Sequence, residues 1–283
     1  MKIAFLFLTI DNVRFPKIWN DFFKNNEDKM NIYCHPKYPE KVNVPWQKRN
    51  IINDLAETAW GKTINALINL FKASLKDKNN KKFIILSESC LPIKSFDKFY
   101  KFLENDNINT SYIDFWEMPK KDHNILKSKL PTNFFKYKLK KHSSWYCLSR
   151  YHIKKLLITP EIYKFTRILA GEENYLTLIL NSDYIKDFTI NYANWTYNKT
   201  KIIKLNQKLK KLYEKKEKEF TNKYNEDIFE LRKQKSILAR HPKIYDKISK
   251  AELKKMKNSK SFFYRKFSAD SDICKYYKEL LDN

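Results

Sequence analysis

Two adjacent acids, Glu172-Glu173, follow one of only two glycines in the chain, Gly171, and precede an apolar run from Tyr175 to Leu180. A general base needs a fixed position and a pKa near the working pH, and a helix start beside a cavity supplies both. The plainer reading is that two acids in a first helical turn complement the helix macrodipole. Arg265-Lys266 lies between aromatics in FFYRKFS. Cations on a rigid apolar segment can hold a diphosphate without a metal ion, although a solvated pair on a strand has the same sequence signature. Arg240-His241-Pro242 offers a further cation of the same kind. Cys90 is a nucleophile by type, but no histidine can be paired with it, so covalent catalysis is discounted. Asp11, Asp97, Asp106 and Asp114 are scattered, and none of them forms the Asp-x-Asp that would hold a divalent ion between a nucleotide sugar's phosphates.

Such groups need a frame, and Phe83–Ser95, FIILSESCLPIKS, is its centre. The continuous apolar run Phe83-Ile84-Ile85-Leu86 predicts a strand buried on both faces, as in a parallel sheet. It ends in Ser87-Glu88-Ser89-Cys90, and the carboxyl ends of such strands are where open α/β sheets bind ligands. Pro92 keeps Leu91 extended and delays any helix. Upstream, Ile3–Thr9 predicts a first strand, Phe15–Phe23 an amphipathic helix with Pro16 in its first turn, and Met30–Cys34 a second strand. Strand, helix and strand in about 35 residues make a βαβ unit and favour a parallel sheet. A helix is expected over Asn53–Leu75, interrupted near its start by Trp60-Gly61, where a glycine points to a close backbone approach or a loop boundary. Phe96–Leu103 reads as a helix and Tyr112–Trp116 as a short strand.

The second half is less regular. Met118–Lys141 is Lys-rich, contains Pro119 and Pro131, and reads as a mobile or substrate-facing loop. A strand over Ser144–Leu148, a helix from Tyr151, a helix over Tyr175–Leu180 and a strand over Thr189–Trp195 follow. In Lys199–Lys235, apolar residues from Leu205 to Leu231 recur at helical spacing in a Lys, Glu and Asn background, which predicts a long amphipathic helix or helical hairpin. A Lys-rich helix over Ser249–Lys257 and a short tail helix close the chain.

Composition narrows the classes. Two glycines in 283 residues leave no room for a glycine-rich phosphate loop of either common type. Lys and Arg number 57 against 32 Asp and Glu, a formal net charge of +25, which attracts polyanions, phosphorylated ligands and anionic surfaces. Part of this excess is compositional bias, since Asn and Ile are plentiful too. Cys34, Cys90, Cys147 and Cys274 are widely spaced, suggesting reduced thiols and neither a zinc site nor a disulfide framework. No stretch approaches the ~20 apolar residues of a membrane span, and MKIAFLFLT reads as a strand without a cleavage site. A cytoplasmic protein, or one peripheral to a membrane surface, is therefore expected.

In their order and spacing these segments resemble the core-2/I-branching β-1,6-N-acetylglucosaminyltransferase family and its "branch" relatives. KIAFLFLT, PKIWNDFF and NIYCHPKYPE are similar to that family's opening strand, helix and second strand, and Trp60-Gly61 to its Trp-Gly segment. FIILSESCLPI resembles its Leu-Ser-Glu-Ser-Cys stretch, Lys141–Trp145 its Gly-Ser-Gln-Trp segment, and Glu172-Glu173-Asn174-Tyr175 its Asp-Glu-His-Tyr. Arg240-His241-Pro242 and Phe263–Phe267 resemble its closing motifs. Lys199–Lys235 is the main stretch with no evident counterpart.

The resemblance implies a single GT-A-like α/β domain over residues 1–283, with a mixed, mainly parallel sheet flanked by helices. A nucleotide-sugar half would span 1–116 and an acceptor half 117–283, with the helical insertion at 199–235. It implies an inverting, metal-independent transferase with no cofactor, moving GlcNAc, or xylose, from a UDP-sugar to a hydroxyl of a glycan or glycoprotein. Glu173 would deprotonate the acceptor. Lys266, with Arg265 and Arg240, would neutralise the departing diphosphate. His35, Trp60, Ser87, Glu88, Ser89 and Cys90 would line the donor side, and Ser144, Trp145 and Glu172 the sugar or acceptor. Glu172 in place of Asp and Asn174 in place of His depart from the family pattern. The insertion would serve a structural role or self-association. Two rival readings are a basic nucleic-acid-binding protein, for which no recognition module is evident, and a catalytically silent scaffold of the same fold.

Overall fold

The structure is a computed structural model that describes residues 1–132, 139–219 and 222–281. Lys2–Thr9 (β1), Pro16–Phe23 (α1) and Met30–Pro36 (β2) form the expected βαβ unit, with β1 and β2 parallel. Pro45–Arg49 (α2) and Ile64–Leu75 (α3) lead to Asn80–Ser87 (β3). Leu91–Pro92 (β4), Phe96–Glu104 (α4), Ser111–Ile113 (β5), Phe115–Glu117 (β6) and Lys120–Lys129 (α5) follow. Then come Lys140–His142 (β7), Cys147–Ser149 (β8), Arg150–Leu157 (α6), Ile185–Asp187 (β9) and Asn191–Ala193 (β10). Thr196–Glu219 (α7) and Asn225–Arg240 (α8) form a hairpin. Lys250–Lys257 (α9), Phe263–Arg265 (β11) and Tyr277–Leu281 (α10) complete the described chain.

The main sheet has the order β2-β1-β3-β8-β5-β9. All its neighbours are parallel except β8, which runs against both β3 and β5. Residues 83–86 are fully buried in its middle, as their uninterrupted apolar character requires. Alternation sends Ile3, Phe5 and Phe7 into one core and Ala4 and Leu6 into the other. The first core is aromatic: Phe5 and Phe7 meet Trp19, Phe22 and Phe23 of α1 at centroid distances of 4.9 to 6.4 Å, mostly edge-to-face. That geometry adds to the area term of burial. The second core packs α3, α6 and residues 162–179 against the opposite face.

Several expectations change at element ends. The helix expected from residue 53 begins only at Ile64, because Gly61 has a φ of 70° in a tight Ala59–Lys62 turn. Residues 118–141 were expected to form a loop, but they contain helix α5; residues 133–138 lie outside the described residues. Tyr112–Trp116 divides into β5 and β6, which enter different sheets. The 116/117 boundary therefore falls inside a strand, and β8 and β9 from the second half join the same sheet as β1–β3. Tyr175–Leu180 is a single 3-10 turn, Tyr175–Leu178. Among the described residues no helix is long and apolar enough to cross a membrane.

Candidate active site

The carboxyl ends of β1, β2, β3, β5 and β9 share one edge of the sheet, and antiparallel β8 begins there. Trp145, just before β8, therefore sits at the ligand edge of the sheet. Two short sheets complete this edge. The first, β10-β11-β4, pairs Tyr264 with Leu91 directly after Cys90, so Arg265-Lys266 emerges beside the end of β3. The second, β6-β7, places Lys141 opposite Trp116.

The cationic group comes from two separate segments that meet at the end of β3. The Arg14 backbone N–H donates to the Glu88 carbonyl at 3.0 Å, and the Phe267 N–H donates to the Ser89 carbonyl at 3.1 Å. The Arg14 guanidinium donates to the Phe267 carbonyl. The Arg265 guanidinium lies 4.3 Å from the Trp145 ring centroid, a close cation–π contact. Its Nε is buried without a partner. Burial lowers the pKa of Lys266, and neighbouring Arg265 and Arg14 lower it further against the opposing pull of Glu88, so an anion placed here would favour its charged form. Arg14 was absent from the sequence reading. Its signal was a cation a few residues beyond the end of β1, at the ligand edge.

The Ser87–Cys90 turn is directed inward. Ser87 and Ser89 share a hydroxyl contact of 3.1 Å. Cys90 Sγ accepts from the Ser87 N–H at 3.2 Å and from Asn191 Nδ2 at 3.0 Å. Ser87, Ser89 and Cys90 thus form a buried floor, and only Glu88 of this turn is half-exposed. His35 is also sealed: its Nε2 accepts from the Ala56 N–H at 2.8 Å, and burial lowers its pKa. That bond pins residue 56, while neighbouring Cys34 pairs with residues 50–52, and the His35 Nδ1 is buried without a partner.

The carboxylates lie on a second loop, held by both of the chain's glycines. The Gly61 carbonyl accepts from the Ala170 N–H at 2.8 Å, and a Cβ on Gly61 would come within 2.9 Å of Leu169 Cδ1. A Cβ on Gly171 would lie 2.2 Å from the Phe165 carbonyl oxygen. The close approach expected at Trp60-Gly61 is therefore to this loop, and Trp60, 59% exposed, flanks it. Gly171–Glu173 forms one 3-10 turn. With no regular helix following, Glu172 does not cap a helix N-terminus. It is only 9% exposed, its Oε2 lacks a partner, and burial raises its pKa to about 7. The Glu173 side chain is 37% exposed and faces Lys141 Nζ at 3.8 Å. Its pKa is raised by burial, against the opposing pull of Lys141. Lys141 also pairs with Asp122 of α5 at 2.8 Å.

Strand β7 pins this loop. His142 Nε2 accepts from the Leu176 N–H at 3.2 Å, and Thr177 exchanges hydrogen bonds of 3.0 and 3.1 Å with Lys140. Tyr146 and Tyr175 join hydroxyls beneath it. From β7 the chain runs through half-buried Ser144 to Trp145 and Arg265, connecting the acidic loop to the cationic group. The Arg240 side chain lies outside the described residues. The sequence also contains one Asp-x-Asp, Asp270-Ser271-Asp272, outside the four aspartates considered above. Asp272 Oδ1 accepts from the Ile248 N–H at 2.8 Å, a structural bond. Among the described residues no three His, Cys, Asp or Glu side chains gather to hold a metal ion.

A mixed, mainly parallel sheet between helical layers, with its polar residues gathered at the carboxyl edge, is a GT-A-like α/β fold. The chain belongs to the Core-2/I-Branching enzyme family, whose model matches residues 3–230. That match runs into the hairpin and stops short of Arg265-Lys266. The chain is 25% identical over 181 residues to Glycosyltransferase BC10 of Oryza sativa subsp. japonica, covering 59% of this chain and 44% of that protein. It thus spans less than half the length of that relative. The crystal structure of A197 from STIV aligns over 55% of this chain and 68% of that one, with 12% identity and a TM-score of 0.29.

Proposed function

We propose that the protein is an inverting glycosyltransferase that moves a sugar from a UDP-sugar to a hydroxyl of a glycan acceptor without a metal ion. The observation that carries this reading is that one short stretch of chain links Lys141, which faces Glu173, to Trp145, which carries the Arg265 guanidinium, at the carboxyl edge of the sheet. Lys266 neutralises the β-phosphate as the UDP leaves. Arg265, held over Trp145, and Arg14 add positive charge that Glu88 offsets only in part, since one carboxylate stands beside three cations, and this favours the more anionic leaving group. Glu173 takes the proton from the acceptor hydroxyl as it attacks C1 in line. Its raised pKa suits a base working near neutrality. Glu172, buried in the same turn with its pKa raised to about 7, shapes the loop. No covalent intermediate is needed; positioning and electrostatics supply the rate.

GlcNAc is the donor this reading favours, with xylose as the alternative sugar. Slow donor hydrolysis over a panel of UDP-sugars tests it, beside protection by UDP against thermal unfolding. Hydrolysis of one donor and a Tm raised by UDP are expected. A protein that UDP does not protect, and that binds duplex DNA with a steep salt dependence, would overturn the reading in favour of a polyanion-binding role.

A further inference from the structure

The hairpin of α7 and α8 carries a surface that the proposed chemistry does not use. Its two helices pack on each other through Leu209 and Ile228, both buried. Asn198 Nδ2 ties its base by donating to the Leu238 and His241 carbonyls. Lys216 Nζ donates to Asn225 Oδ1 at 2.6 Å near its tip. A pair of helices covers only part of an apolar stripe wider than one seam. Here the remainder forms a groove along one side of the hairpin, floored by Leu205, Leu212, Leu231 and Leu238.

One wall of this groove is Lys201, Lys204, Lys208, Lys211 and Lys215. Their 3-4-3-4 spacing keeps all five on the same flank of α7 for about 21 Å, at 1.5 Å per residue. Lys204, Lys208, Lys211 and Lys215 are exposed and form no ion pair with another described residue. The facing wall on α8 is Gln234, with Asp227 and Glu230 only towards the tip. An apolar floor with charged flanks is how helices choose partners, the stripe giving affinity and the flanking charges giving identity. A second copy of the hairpin would bring a lysine flank of its own, so like charges would outnumber the few acids available.

We infer that this groove is a docking site for an acidic amphipathic helix of a partner protein, which completes a three-helix bundle with α7 and α8. Its leucine-type stripe covers Leu205, Leu212, Leu231 and Leu238, and its carboxylates face the lysine row.

The test uses the full chain and a synthetic amphipathic helix with a leucine heptad stripe flanked by glutamates. Controls carry glutamines or lysines at the flanks. The glutamate peptide is expected to bind in fluorescence anisotropy, with affinity falling about tenfold or more when glutamine replaces the glutamates, a loss of 1.4 kcal/mol per decade. Lys204→Glu, Lys208→Glu, Lys211→Glu and Lys215→Glu combined should lose the glutamate peptide and gain the lysine peptide. The single Lys208→Glu change should weaken binding in the same direction with the helix content unchanged. Absence of glutamate-peptide binding, or equal binding of the glutamine control, overturns the inference. So does a concentration-dependent dimer that the charge reversal disrupts, which would seat a second copy in the groove. Binding to phosphatidylglycerol vesicles in place of the peptide would assign the lysine row to a lipid surface.

Discussion

Glu172 and Glu173 are chemically the same residue, separated by one peptide bond, and their surroundings differ. Glu173 reaches Lys141 at the surface of the loop, whereas Glu172 is enclosed with an unpartnered oxygen. The folded-state pKa of Glu172 is raised from its ordinary 4.5 to about 7. Below about pH 4.5 the group is neutral in both folded and unfolded states. Between there and 7 the unfolded chain ionises first, so the folded state loses stability as pH rises, and the loss is complete above 7. Glu172→Gln should therefore raise Tm by a few degrees at pH 8, from about 1–3 kcal/mol, and leave it unchanged at pH 4. A melting series from pH 4 to 8 checks this; a variant less stable than the parent at pH 8 would show that the carboxylate is stabilised. Lys266→Ala should weaken UDP binding at least tenfold, since a diphosphate charge is then left uncompensated in a partly desolvated site. Calorimetric titration with UDP measures it, and an unchanged Kd would remove Lys266 from the site.

Among the elements, the carboxylate loop is held by contacts that no side chain could replace. Gly171→Ala would drive a Cβ to within 2.2 Å of the Phe165 carbonyl, so the backbone of the loop must move. A loss of about 2 kcal/mol or more in denaturant unfolding is expected, together with a fall in turnover. Gly61→Ala combines a positive φ with a 2.9 Å approach to Leu169, and its cost should be about 1–2 kcal/mol. Wild-type stability in Gly61→Ala would mean that the 59–62 turn does not contact residues 169–170, and in Gly171→Ala that residue 171 does not approach the Phe165 carbonyl. The hairpin behaves differently, because its buried residues Leu209 and Ile228 pack across its own seam. Replacing residues 199–235 with a short linker should leave the core folded, with a cooperative melt near the parental Tm. A molten, non-cooperative product would show that the hairpin is part of the core.

At the scale of the whole molecule, the sequence was most informative where burial is two-sided. Phe83–Leu86, Ile3–Thr9 and α1 carry uninterrupted or periodic apolar patterns, and these gave the centre of the sheet, its first neighbour and the helix above them. Local patterning failed where tertiary contacts decide the outcome. Gly61, at positive φ in a turn whose carbonyl accepts from Ala170, delays one expected helix to Ile64, and Tyr175–Leu178 tightens into a 3-10 turn under contacts from β7. The antiparallel β8, which carries Trp145 to the ligand edge, has no sequence signal for its direction. The pair Glu172-Glu173 and the pair Arg265-Lys266 were both visible in the sequence. Arg14 was not, and Lys141 was visible only as the start of a motif, without its pairing to Glu173.

The proposed reaction requires Glu173 to act on the acceptor in a metal-free transfer from a UDP-sugar. The most direct measurement is the rate of UDP release from the donor in the presence of EDTA, for the parent protein, Glu173→Gln and Glu172→Gln side by side. The parent should turn over undiminished by EDTA. Glu173→Gln should fall by about 10²–10⁴-fold with its affinity for UDP unchanged, and Glu172→Gln should stay close to the parent. Activity that disappears with EDTA and returns with manganese, or a Glu172 variant that is dead while the Glu173 variant turns over normally, would contradict it.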